Sequence, residues 1–211
     1  VRAAGTDFSY QLLSVVPWTR RELVAANYRS GRVFICGDAA HVTSPTGGFG
    51  MNTGIQDAVD LAWKLTAMLA GWGGNGLFES YTLERRPVAV RNVTEASANL
   101  RRMLQPKPKP AVFAETPEGA AAREEFGREF SESMAREWTT LGIHLGYFYE
   151  GSPVIVPDGT PPPPEDTTEY VQRARPGSRA PHVWLADGRS TLDLFGPKFT
   201  LLCLGGSAPD G

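Results

Sequence analysis

Cysteine and histidine are both scarce, with two and three copies in 211 residues. Cys36 and Cys203 lie far apart, each in an apolar run, with no CxxC and no clustered histidine. That excludes a disulfide framework and a zinc site, so no metal is expected and a reducing cytoplasm is the natural compartment. Neither sign of charge dominates: 21 Lys+Arg stand against 23 Asp+Glu, a net charge of −2. The basic stripe that a nucleic-acid binder carries is therefore missing, and nucleic acid is not an expected partner. No apolar run approaches the roughly 20 residues of a membrane helix, so no membrane partner is expected either. No basic-then-apolar leader is visible at Val1, and the chain stops just after a strand-like run. Both ends read as cuts in a longer chain.

What is present is an ordinary globular balance, 41% hydrophobic and 21% charged. Residues 8–17 read as a strand, followed by a short polar helix or turn over 20–28. Residues 31–38 form a short apolar run bounded by glycines, the pattern of a strand buried on both faces in a layered α/β domain. Helical spacing then predicts a helix to Leu69 that is apolar nearly all round and so buried, closed by Gly71, Gly73, Gly74 and Gly76. A second helix is expected over 77–104, bent or interrupted at Pro87. Residues 105–112 read as a surface linker. Thr116-Pro117-Glu118 opens a third helix, whose stripe of Phe126, Phe130, Met134 and Trp138 is expected to be core. Strand-like runs follow at 143–149, 182–185 and 199–204. The proline tract Pro161–Pro164 marks a boundary between residues 1–160 and 161–211.

The chemistry concentrates in residues 31–65. Asp38 sits where a strand ends, the place at which α/β folds expose ligand-binding groups, and a carboxylate there can accept from sugar-like hydroxyls. Ala39 and Ala40 leave room beside the backbone. Gly47, Gly48 and Gly50 let main-chain N–H groups approach a flat ring. The helix that follows points its positive end at whatever fills the loop, which favours an anion. An Asp after a strand is also a common cap, and glycine loops are often plain turns. Spacing alone leaves both readings open.

The run Gly37-Asp38-Ala39-Ala40-His41, then Pro45-Thr46-Gly47-Gly48, then Gly50-Met51-Asn52-Thr53-Gly54-Ile55-Gln56-Asp57-Ala58, narrows them. It closely resembles the second FAD-binding motif of the single-component flavin-dependent aromatic hydroxylases, the group A flavoprotein monooxygenases of para-hydroxybenzoate hydroxylase type. Ser80-Tyr81 with Glu84-Arg85-Arg86-Pro87 matches the helix after that motif. Leu145-Gly146-Tyr147 through Gly151-Ser152-Pro153, and Arg175-Pro176-Gly177 through Asp193-Leu194-Phe195-Gly196, resemble the phenol and dichlorophenol hydroxylase branch.

The resemblance implies an α/β fold: part of a Rossmann-like FAD-binding domain over 1–160, then a linker and the start of a thioredoxin-like domain over 161–211. It implies FAD as cofactor, NAD(P)H as co-substrate, and a phenolic or polyketide-like aromatic substrate hydroxylated through a flavin hydroperoxide. Asp38 would bind the ribityl or pyrophosphate side. Pro45 would lie beside the isoalloxazine ring, and Gly48, Gly50, Met51 and Asn52 would wrap its pyrimidine end. The family commonly has two prolines where this chain has Ser44-Pro45, and Gln where it has Phe49; neither change removes a backbone donor. The family's N-terminal dinucleotide-binding unit is not in this sequence, so a longer parent chain is the expected partner, the piece alone is expected to be inactive, and a homodimer is open.

No catalytic residue is assigned. His41 reads as a structural hydrogen-bonder, and His144 and His182 as structural or surface groups. Two other functions stay in view: a different flavin oxidoreductase on the same fold, and a non-catalytic interaction module.

Overall fold

The computed structural model describes residues 5–196, 198–203 and 205. Four two-residue strands precede the helices: β1 (Leu23–Val24), β2 (Arg29–Ser30), β3 (Val33–Phe34) and β4 (His41–Val42). β1 pairs antiparallel with β4, Leu23 opposite Val42 and Val24 opposite His41. β2 and β3 form a hairpin whose two-residue turn starts at Gly31, φ 57°, a backbone that favours glycine. Then come α1 (Phe49–Leu69), α2 (Gly76–Met103), α3 (Pro117–Trp138) and the short α4 (Leu141–Leu145).

α1 and α2 pack along each other, and the strands close one side of the pair. Gly71, at φ 78°, ends α1 in the left-handed conformation common at helix C-termini. Tyr28, Ala40, Tyr81 and Ala89 form the main apolar cluster, with Val24, Phe34, Ile35 and Leu61 against it. The Tyr28 and Tyr81 rings meet edge to face at 5.8 Å, and Tyr81 Oη donates to the Ile35 carbonyl at 2.9 Å. A second cluster joins Phe49, Ala96 and Ile143, which ties the start of α1 to α2 and α4. α3 begins as its sequence predicts: Thr116 accepts from the Gly119 N–H and Pro117 occupies the first turn.

Several elements differ from the sequence-based expectation, each for a physical reason. α1 is not apolar all round in the buried sense. Its buried face carries Thr53, Asp57, Asp60, Lys64 and Ala67, while Met51, Ile55, Val59 and Leu69 are exposed. The 31–38 run is not buried on both faces either: Val33 is 66% exposed, because β3 has only β2 as a neighbour among the described residues. Residues 8–17 find no strand partner and lie exposed. α2 runs through Pro87 without a break. Arg85 and Arg86 anchor it just before the proline, the latter through Nε to the Ala25 carbonyl at 3.1 Å.

The α3 stripe is not core. Phe130 is exposed, Phe126 and Met134 are half-buried, and Trp138 is 80% exposed. Residues 143–149 divide between α4 and a single bridge from Phe148 to Ser178. The 182–185 run makes one bridge, Trp184 to Ser190. No strand forms over 199–203, and Leu204 lies outside the described residues. Around the expected boundary the chain is tied down: Gly142 and Ile143 N–H donate to the carbonyls of Thr168 and Thr167. No helix among the described residues is long and apolar enough to cross a membrane.

Candidate functional site

The loop from Thr43 to Gly48 is held from below. Thr46 Oγ1 donates to the Ala96 carbonyl of α2 at 2.6 Å and shares a hydrogen bond with Ser44 Oγ. Gly47 and Gly48 both adopt positive φ, 82° and 66°. The Gly47 N–H donates to Glu137 Oε1 near the end of α3 at 2.8 Å. Asn52 Nδ2 folds back onto the Gly48 carbonyl at 2.9 Å. Phe49 is buried beneath, with the His144 ring edge-on at 5.9 Å. Four separate contacts thus fix a turn that glycine alone accommodates.

Above this support the surface is open. Asp38, Pro45, Gly48, Met51 and Asn52 are exposed and Gly50 is half-buried. A Cβ built on Gly48 would meet nothing within 4 Å among the described residues. No side chain caps α1, so its first N–H groups, which have no partner in their own helix, are left for an outside acceptor. Gly54 brings Asp38 into the group. A Cβ there would sit 3.1 Å from the Gly37 Cα, so the turn carrying Asp38 lies directly on the second turn of α1. A helix start and two left-handed glycines are accessible at one end of α1, and Asp38, which lies in the 3-10 turn Gly37–Ala39 rather than at the end of a strand, sits over the next turn of that helix. This arrangement suits the flat, acceptor-bearing edge of a ring system.

Beneath it runs a buried charged network that sequence reasoning missed. Asp57 accepts from Arg85 Nε at 2.8 Å and pairs with His41 Nε2 at 2.6 Å, all three essentially inaccessible. Its Oδ2 also accepts from the Gly37 N–H at 3.2 Å. Arg85 goes on to Tyr149 Oη at 3.2 Å and Gln56 Oε1 at 3.2 Å. Next to it Lys64 pairs with Asp60 at 2.7 Å and with Glu84, which also bonds Ser152. His41 is therefore the structural hydrogen-bonder its setting suggests, linking β4 to α1. The signal was there: Asp57, Asp60 and Lys64 fall on one helical face, and Glu84-Arg85 supply the opposite charges.

Burial raises the Asp60 carboxyl above its ordinary value of 3.8, Lys64 opposing the shift through its hydrogen bond and charge. Burial likewise raises the Tyr149 hydroxyl, leaving it a neutral partner for Arg85 at physiological pH. A carboxyl raised in the folded state takes up protons on folding. Its contribution is therefore full below 3.8 and is lost as pH rises through the raised value. Asp60→Asn is expected to gain stability relative to the parent over that rise, read from urea midpoints at pH 3.5–7. A difference that stays flat across the window would contradict the assignment.

Comparison with known proteins places this geometry. Residues 3–96 match the family model described as FAD binding domain. The 4-methyl-5-nitrocatechol 5-monooxygenase of a Burkholderia species is 37% identical over 209 residues, covering 96% of this chain and 34% of that protein. The aklavinone 12-hydroxylase of Streptomyces peucetius is 37% identical over 203 residues, 95% of this chain and 36% of that one. Among solved structures, native and K252c-bound RebC-10x superposes with a TM-score of 0.79 at 45% identity, over 92% of this chain and 37% of that one. The flavin-dependent monooxygenase PieE, in complex with FAD and substrate, gives 0.70 at 32% identity, over 85% and 34%. This chain is a relative of the FAD-dependent aromatic and polyketide hydroxylases. It spans about a third of the length of those relatives, and its fold is the corresponding part of their FAD-binding structure.

Proposed function

We propose that this chain supplies the flavin-edge half of the FAD site in a monooxygenase that hydroxylates a phenolic or polyketide-like aromatic, with NAD(P)H and O2 as co-substrates. The observation that carries the reading is the uncapped start of α1 beside the open Gly48, with Asp38 on the adjoining turn. The donor set fits the ring and ribityl end of FAD: backbone N–H groups of Gly50, Met51 and Asn52 for the ring's acceptor edge, and the Asp38 carboxylate for hydroxyls. Pro45 and Gly48 would lie against the ring. Bound FAD would supply the hydride acceptor and the oxygen chemistry.

The protein's own part is electrostatic and positional. The α1 N-terminus places fixed positive potential where the ring edge gathers negative charge on reduction, at no cost in reorganisation. The buried Asp57–Arg85–His41 network holds the turn at Gly37 and α1 in one arrangement. Met51, Ile55 and Val59 form an outward apolar row, the surface against which the rest of a flavin domain would pack. Residues 161–211 are read as the linker and opening of a thioredoxin-like domain. A reducing cytoplasm is the chain's proposed compartment.

The reaction is tested with protein from the complete reading frame, 1-naphthol, NAD(P)H and 18O2. A product heavier by one 18O atom is expected. NAD(P)H oxidation with the naphthol unchanged would overturn the hydroxylase reading and favour another flavin oxidoreductase.

A further inference from the structure

A cavity of about 540 Å³ opens beside the C-terminal half of α1, away from the Gly47–Gly48 loop, and the flavin reading does not use it. Its volume falls within the roughly 300–1,000 Å³ of small-molecule sites. The walls are aromatic: Trp63 of α1, Trp72 just beyond that helix and Phe199 all line it. The Phe199 ring stands nearly perpendicular to both indoles, its centroid 5.8 Å from each of theirs. The rim is low at Gly74, where a Cβ would meet nothing within 4 Å among the described residues.

The polar part of the lining is acidic. Asp60 and Glu84 both reach the cavity, with side chains 9% and 2% exposed. Both bond the fully buried Lys64, so two carboxylates share one ammonium. Arg85 nearby is matched by Asp57. One negative charge is therefore left over. Glu84 bonds Ser152 with its second oxygen. Asp60 Oδ1 has only the Trp63 indole N–H at 3.4 Å, longer than the roughly 2.7–3.2 Å of an ordinary N–H···O bond. A buried carboxylate oxygen with an unfilled acceptor position is costly, and burial already raises this carboxyl. Lys64 shows what satisfies it. The Lys64 Nζ lies 2.7 Å from Asp60 Oδ2 and 5.5 Å from the centre of the Trp63 ring. An ammonium on the cavity side would find the same two partners.

We propose that this cavity binds a small organic cation, a protonated arylalkyl amine, whose N–H donates to Asp60 Oδ1 while its carbon skeleton lies among Trp63, Trp72 and Phe199. Aromatic faces attract an ammonium group, and they also take up the apolar skeleton that an inorganic ion lacks. No group of three or more His, Cys, Asp or Glu among the described residues gathers to hold a metal ion instead. The site stands on its own residues, whether or not the Gly47–Gly48 loop holds FAD.

The test titrates protein from the complete reading frame by calorimetry at neutral pH, with benzylamine, a cation there, and benzyl alcohol, a neutral molecule of like shape. The parent is expected to bind the amine about tenfold or more tighter. Asp60→Asn keeps an oxygen acceptor but removes the charge, and is expected to cut that preference several-fold. Trp72→Ala removes an exposed ring, leaves every charge in place, and is expected to weaken both probes several-fold. Circular dichroism checks that each variant folds; should Asp60→Asn fail to, the probe ratio and Trp72→Ala still decide. A parent that binds no benzylamine, or binds the two probes equally, would overturn the proposal. So would a preference that survives Asp60→Asn, or binding that Trp72→Ala leaves unchanged. Potassium chloride displacing the amine at equal concentration would reveal an unselective cation site, which also overturns it. Neither probe needs flavin, so a protein that binds no FAD would sink the hydroxylase reading and leave this result to stand or fall by itself.

Discussion

Asp57→Ala is expected to lower the unfolding free energy by about 3–5 kcal/mol, the cost of removing one partner from a buried ion pair. Arg85 and His41 both rely on that carboxylate, and none of the three reaches solvent. Without it the Arg85 guanidinium stays buried with only neutral partners, Tyr149, Gln56 and the Thr53 carbonyl. Against a typical total of about 5–15 kcal/mol, the loss is large enough to leave a substantial unfolded fraction at 37 °C. The double variant Asp57→Leu/Arg85→Met removes both charges, so it should cost well under the sum of the two single changes. Urea midpoints at constant slope read both numbers. A single-variant loss under about 1 kcal/mol would contradict the buried network.

The two neighbouring glycines should separate fold from function. Both are left-handed, so a side chain at either carries about 1–2 kcal/mol of backbone strain. At Gly47 the new Cβ would also lie 2.7 Å from two atoms of the Phe49 ring, and that ring is locked in the second core cluster. Overpacking adds about 1–3 kcal/mol, so Gly47→Ala is expected to destabilise by about 2–5 kcal/mol. At Gly48 a Cβ meets nothing within 4 Å among the described residues. Gly48→Ala should therefore cost only the strain, yet it places a methyl group where the ring of a bound flavin would lie. Its FAD affinity is expected to fall tenfold or more, out of proportion to its stability. Equal effects of the two substitutions on stability and on FAD would contradict the loop geometry.

The loop was legible because its residues act through backbone conformation. Glycines at Gly47 and Gly48, a proline at Pro45 and an uncapped helix start at Phe49 have the same meaning whatever packs around them. The motif resemblance then pointed to FAD as the ligand to test there. α1 was misread for the opposite reason. Its apolar residues Met51, Ile55 and Val59 suggested burial, yet in these residues the charged face is the one that meets α2. Charge can be inside there because Asp57 finds Arg85 and Lys64 finds Glu84, pairings 28 and 20 residues apart that no local pattern encodes. The strand-like runs at 8–17 and 143–149 have the composition of strands, but a strand needs a neighbour: among the described residues, 8–17 finds none, and 143–149 finds only the single Phe148–Ser178 bridge. The α3 stripe keeps the helical period yet turns Trp138 to solvent; periodicity names a face without saying what covers it.

The central claim is that the junction of Asp38, the Gly47–Gly48 turn and the start of α1 holds the ring end of FAD. The most direct measurement is the visible absorption spectrum of protein from the complete reading frame after gel filtration, for the parent and for Asp38→Ala. Asp38 is exposed and its side chain makes no hydrogen bond or ion pair among the described residues, so the substitution should leave the circular dichroism spectrum unchanged. The account predicts a flavin spectrum that co-elutes with the parent and is weakened or lost in the variant. A parent that stays colourless with added FAD, or a variant that retains flavin as tightly as the parent, would contradict it.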